Sequence, residues 1–137
     1  MKHTYLLLSL WCLLLACTMS CADASIASDQ DKLQGVWLAQ TESLNGLKKE
    51  VDFQYIFSKD TLTFIDETGQ KEVYKYTLDT TSTPKYLNIQ PEDATPVSVA
   101  YTLDGDDLTI VIAEPGFRPT DLSDTHQEVI VCKRKGS

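Results

Sequence analysis

The residues able to do chemistry in this chain are few and scattered. Asp121, Asp124 and His126 spell D-x-x-D-x-H, with Ser123 inside the motif and His126 the only histidine beyond the first few residues. A zinc- or copper-type centre asks for more nitrogen or sulfur donors than one imidazole. A serine nucleophile needs a histidine backed by an acid, and Ser123 is too near His126 in sequence to reach that geometry without a special loop. Asp104, Asp106 and Asp107 form a second acidic group. Calcium takes about six or more oxygens at defined spacing, and the residues after Asp107 alternate as a strand instead of continuing a binding loop. There is no Gly-rich phosphate loop and no C-x-x-C pair. The expectation is a non-enzymatic protein with no catalytic residue, no metal and no cofactor.

Binding chemistry has better candidates. Glu114-Pro115-Gly116-Phe117-Arg118-Pro119 places an aromatic ring and a guanidinium between two prolines. Proline fixes φ, so such a loop starts ordered and loses little entropy on meeting a partner. The competing reading has Arg118 paired with Glu114 or Asp121, locking a rim, while Phe117 caps a core. Tyr55, Tyr74, Tyr76 and Tyr101 lie in apolar segments and offer hydroxyls to an interior ligand, or to water at a rim.

These residues need elements to hold them. Val97, Val99, Tyr101 and Leu103 alternate with smaller or polar residues, Asp104-Gly105 reverses the chain, and Leu108, Ile110 and Ile112 resume the alternation. The same period-2 signal recurs over Val36 to Leu44, Phe53 to Ser58, Thr61 to Asp66, Lys71 to Leu78, Tyr86 to Gln90 and Val129 to Arg134. Asn45-Gly46, Lys59-Asp60 and Asp66-Glu67-Thr68-Gly69 supply turns. No helical period appears after residue 24. The pattern predicts an all-β fold, a small up-and-down antiparallel β-barrel of about eight strands. Its interior is filled by its own side chains or keeps a pocket at one mouth. A contiguous apolar pocket above roughly 300 Å³ distinguishes a carrier from a filled module.

Leu33-Gln34-Gly35-Val36-Trp37, the segment Tyr101 to Ile110, Ala113 to Thr120 and Val129 to Lys135 together resemble a family of uncharacterised exported domains, abundant in planctomycete bacteria and regarded as lipocalin-like. The resemblance runs from about Leu33 to Lys135. It implies the lipocalin-like form of the barrel and no known activity. It also implies structural roles for Gly35, Trp37 and Arg134: the Trp closes one barrel end and an Arg of the last strand stacks over it.

The chain has 137 residues and a formal net charge of −8. Lys2 and His3 precede an apolar run from Tyr5 to Ala16, too short to span a bilayer and suited to a signal peptide. Leu14-Leu15-Ala16-Cys17 resembles a lipobox, with Cys17 as the lipidation site; Ala22-Asp23-Ala24 is an ordinary A-x-A site. The lipobox reading is favoured, because Cys17 ends the apolar run. Residues 1–24 are therefore leader and tether region and 25–137 the barrel domain, its core spanning 33–135. Ala22 to Asp31 reads as a tether, with the folded part starting near Lys32. The expected address is exported: a membrane-anchored lipoprotein or a secreted protein. All acidic residues follow the apolar run, which argues against nucleic acid as a partner. A small hydrophobic ligand or an envelope protein fits better. Cys132 reads as a small apolar core residue, with a Cys21–Cys132 bridge as the alternative.

Overall fold

The computed structural model describes residues 26–136. The expected signal peptide, Cys17, Cys21 and the two candidate cleavage sites lie outside the described residues. The elements are α1 (Asp29–Leu33), β1 (Gly35–Leu44), β2 (Leu47–Glu50), β3 (Gln54–Ser58), β4 (Thr61–Ile65), β5 (Lys71–Asp79), β6 (Lys85–Gln90), β7 (Val97–Asp104), β8 (Asp107–Ala113) and β9 (Gln127–Arg134).

Each of β3 to β8 pairs antiparallel with the next, β1 pairs with β3, and β9 returns to β1. These eight strands close a barrel, and β2 is one strand extra. Closure removes the free edges an open sheet would present. Asn45 and Gly46 both have positive φ, 50° and 78°, and join β1 to β2 as the two-residue Asn-Gly hairpin turn. The Leu47–Glu50 strand escapes pattern reading because all four of its residues are exposed, leaving no buried face to alternate. It continues into β3 through Val51–Phe53, whose backbone stays bonded to β1 at Gln40 and Ala39.

A register shift between Ala39 and Thr41 marks a bulge in β1. Ala39 faces Cys132 across the ladder, but beyond the bulge it is Glu42, not Thr41, that lies opposite the buried Ile130. The inward parity of β1 therefore flips at Gln40. In the β7–β8 hairpin, Asp104 pairs with Asp107, so the two turn residues are Gly105 and Asp106, one place later than the sequence suggests.

The main core lies inside the barrel. Tyr101, Ile110 and Ile130 form one inner row across β7, β8 and β9, and Trp37, Phe57, Leu62 and Leu108 are all at most 2% exposed. Burial of each such side chain contributes about 1.5–3 kcal/mol. A second cluster lies outside the barrel: Tyr86, Ala100, Val111 and Val129 make a single outer row across β6 to β9. The segment after β8 folds back over this row, and the Tyr86 hydroxyl donates to the Pro119 carbonyl at 2.7 Å.

The tether expected up to Asp31 ends earlier, and a helix stands where no helical period was visible. Ser28 caps α1, its hydroxyl accepting from the Asp31 amide while the Asp31 carboxylate accepts from Ser28. Five residues are too few to display a period, so the capping residues are the only local signal.

Candidate ligand-binding site

The two ends of the barrel differ. At one end Trp37 is fully buried and its indole N–H donates to the Leu33 carbonyl at 2.8 Å. The guanidinium of Arg134 lies over the indole, 4.3 Å from the ring centre. It donates to the carbonyls of Gln34 and Lys32, at 2.9 and 2.5 Å, and to the Asp106 carboxylate at 3.1 Å. Gly35 has φ +118°, and a Cβ there would come within 3.4 Å of Arg134 Nη1. A side chain at this position would be strained by the backbone and would touch the guanidinium.

α1 closes the same end as a lid. Leu33 is 1% exposed. Asp29 accepts from Lys85 Nζ and from the Tyr101 hydroxyl, both at 2.8 Å. The Tyr76 hydroxyl donates to the Lys59 carbonyl at 2.8 Å and accepts from Gln30 and Gln34. Tyr76 and Tyr101, expected to offer hydroxyls to a ligand, instead spend them on the lid. The Lys85 contact, ahead of the Tyr101 bond, holds the Asp29 carboxyl below its ordinary range against the cost of burial.

The other end is open. A pocket of about 270 Å³ enters the barrel there, walled by Tyr55, Leu62, Phe64, Leu87, Val99, Ile110 and Ile112. Phe53, Tyr55 and Phe64 contact one another with ring centres 5.4–5.7 Å apart. That packing holds the large rings to one wall, and the shorter aliphatic side chains opposite leave the space between. The volume falls just under the roughly 300 Å³ at which ligand pockets usually begin. Tyr74 and Glu72 stand at the rim, the tyrosine hydroxyl donating to the carboxylate. Of the four tyrosines singled out in the sequence, Tyr55 and Tyr74 border this pocket.

Glu72 is the carboxylate that borders this pocket. Glu42 and Glu128 lie on the neighbouring strands β1 and β9, Glu42 opposite Ile130 and Glu128 opposite Leu44. Desolvation, then the nearby Glu42 carboxyl and its hydrogen bond, raise the Glu128 carboxyl above its ordinary range. Lys49 Nζ lies 3.1 Å from Glu42. Burial also raises the Tyr55 phenol strongly, helped by the negative charges of Cys132, Glu128 and Glu42 in their ionised forms.

Phe117 and Arg118 lie outside the barrel. Arg118 pairs with neither Glu114 nor Asp121, the two carboxylates expected for it. Its guanidinium sits 3.5 Å from the centre of the Tyr86 ring and 3.7 Å from Asp79. The fold-back over β6 to β9 carries it past the nearer acids in sequence. Phe117 is 72% exposed, so it caps no core. Tyr86 and Asp79 were not visible as partners, because the outer face of a barrel is expected to meet water and no period announces a covering loop.

The D-x-x-D-x-H residues serve loop structure. Asp121 accepts from Ser123 and Gln127. Asp124 accepts from the Asn45 and Gly46 amides, and the His126 amide donates to Asn45, which ties the β8–β9 connection to the β1–β2 turn. Asp106 and Asp107 pair with Arg134 and Lys133. No group of three or more potential metal ligands gathers among the described residues. Cys132 is fully buried with a free thiol, as a small core residue.

Comparison with protein-family models, with curated proteins and with solved structures finds no match for this chain.

Proposed function

We propose that this protein is an exported, non-enzymatic, lipocalin-like carrier or sensor of the cell envelope. It is anchored through lipidated Cys17 and takes a small apolar ligand into the open barrel mouth. The observation that carries this reading is the pocket beside Tyr55: apolar on its walls, open at one end, and backed at the other by the Trp37 plug. Concave apolar sites with a few polar groups at the mouth are the usual form of small-molecule sites. An apolar fluorescent probe tests it. The parent should bind the probe, and Ile112→Trp, which fills the pocket from its mouth, should lose binding while keeping the fold. Equal probe binding by both chains would remove the reading.

A second reading is a structural or protein-interaction module. Phe117 favours it, since the ring stays 72% exposed on a loop fixed by the Arg118 stack on Tyr86. Fixed, exposed aromatics are frequent anchors at interfaces. Phe117→Ala would then lose capture of an envelope protein with melting temperature unchanged, and capture that survives the substitution would remove this alternative.

A further inference from the structure

Leu44, Val97 and Phe117, all large, apolar and exposed, line one groove of about 930 Å³. It lies beside the pocket of Tyr55, shares Ile112 with it, and is walled by the loop before β7, the end of β8 and the 114–118 turn. Glu128 stands opposite Leu44 on one neighbouring strand and opposite Ile112 on the other, so a carboxylate interrupts an aliphatic row across β1, β9 and β8. Glu114 and Phe117 are the two ends of a turn: the Phe117 amide donates to the Glu114 carbonyl at 3.0 Å, across Pro115 and Gly116, whose φ is 86°. Arg118 on the Tyr86 ring and the buried Pro119 fix the chain just beyond. Arg118 meets Asp79, but neither Glu114 nor Glu128 has an ion-pair partner among the described residues. The groove is therefore apolar, held in shape, and lined by two carboxylates that no cation of the chain offsets at contact distance.

We propose that this groove docks a short segment of a partner protein that combines apolar side chains with lysine or arginine, the apolar groups against Phe117, Val97 and Leu44 and the cations against Glu114 and Glu128. This rests on the protein-interaction reading and names the chemistry of its partner. A fixed aromatic ring among aliphatic side chains is the usual form of an interface anchor, and unoffset carboxylates at its side select for positive charge. Burial raises the Glu128 carboxyl above its ordinary range, and a cation brought beside it offsets that cost. The same charges disfavour the other occupants of an apolar groove. Anionic lipid headgroups would be repelled, and a second copy of this chain would bring its own net charge of −8.

Fluorescence anisotropy of three labelled, end-capped heptapeptides against the purified protein tests this. All three carry leucine and phenylalanine at the same positions, and the remaining positions are lysine in one, glutamine in the second and glutamate in the third. At neutral pH the lysine peptide should bind about three- to tenfold tighter than the glutamine peptide, the range for one or two partly exposed ion pairs. The glutamate peptide should bind weakest, and about 1 M salt should remove the lysine preference. Glu114→Gln/Glu128→Gln should bring the lysine peptide to the level of the glutamine peptide, whose binding is retained. Glu114→Gln alone, at an exposed position, should remove part of the preference, and decides the matter if the double variant fails to fold. Phe117→Ala should weaken the lysine and glutamine peptides alike with melting temperature unchanged. Equal affinity for these two peptides in the parent, or a lysine preference that survives the glutamine variants, overturns the inference and leaves Phe117 as an anchor for a partner of other chemistry. Binding of anionic phospholipid vesicles in preference to the lysine peptide, or a dimer that Phe117→Ala dissolves, overturns it in favour of a membrane or a second copy. If no peptide binds, the inference fails, and the interaction reading stands or falls on capture by Phe117→Ala.

Discussion

Arg134 and Trp37 form the joint that closes the barrel: the last strand lays its guanidinium over the indole of the first, 4.3 Å from the ring centre, and the same group caps the carbonyls of Gln34 and Lys32. A planar fork is needed for both tasks together, which lysine cannot supply. Trp37→Ala should cost about 3–5 kcal/mol through lost transfer energy and the cavity left behind. Arg134→Lys should cost about 1–3 kcal/mol, since charge-assisted bonds to the carbonyls of Gln34 and Lys32 are lost. Gly35→Ala, at φ +118°, should cost about 1–3 kcal/mol in strain. Urea unfolding of the three variants measures this, and a Trp37→Ala midpoint equal to that of the parent would refute the plug.

The pH dependence of stability has two opposed parts. Asp29 and Asp79 have folded pKa values below their ordinary one: Asp29 chiefly through its bond to Lys85, Asp79 lowered to about 2 chiefly through its bonds to Ser82 and Thr81. Their contribution is present above the ordinary aspartate value and is lost as pH falls through the folded values. Glu128 has the opposite sign. Its folded value is raised, so its contribution is present below the ordinary glutamate value and is lost as pH rises through the raised one. Glu128→Gln should therefore gain a few degrees of melting temperature at neutral pH, and Asp29→Asn should shrink the acid limb. A neutral-pH melting temperature lowered by Glu128→Gln would contradict the assignment.

Cys132 should be inert in the folded state. Burial pushes its thiol up to about 12, so almost no thiolate exists at neutral pH and no reagent reaches it. In a chain with Cys12, Cys17 and Cys21 replaced by serine, thiol labelling should follow the unfolding transition. Rapid stoichiometric labelling without denaturant would mean that the barrel opens locally at β9.

Lipidation is expected at Cys17. Mass spectrometry of the protein from its own host should find a mature chain beginning with a diacylated Cys17, and Cys17→Ser should leave an unlipidated protein or an uncleaved precursor. A mature N-terminus at Ser25 would contradict it.

The barrel was legible because its signals are local. Alternation in segments such as Val97 to Leu103 marks half-buried strands, and Asn45-Gly46 marks a reversal, without any knowledge of partners. The Trp37–Arg134 joint spans the whole chain, and resemblance of the Gly35-Val36-Trp37 motif pointed to it. The inward turn of Glu42 was not legible. Simple alternation from Trp37 and Ala39 carries Thr41 and Ser43 inward, and only the bulge at Gln40 turns Glu42 toward Ile130. Glu128 then comes onto the strand beside Glu42 because β9 closes on β1, a pairing with no local trace. The stack of Arg118 on Tyr86 was hidden for a related reason: the covering loop has no periodicity, and the outer row Tyr86, Ala100, Val111, Val129 becomes one face only when four strands align.

The most direct test of the account is native mass spectrometry of the parent and of Ile112→Trp, each purified from the protein's own host. The account predicts a small molecule of constant mass on the parent, released on denaturation and absent from Ile112→Trp. A parent that flies at the mass of the bare mature chain, and that also fails to take up an added apolar probe, would contradict a ligand site in the barrel mouth.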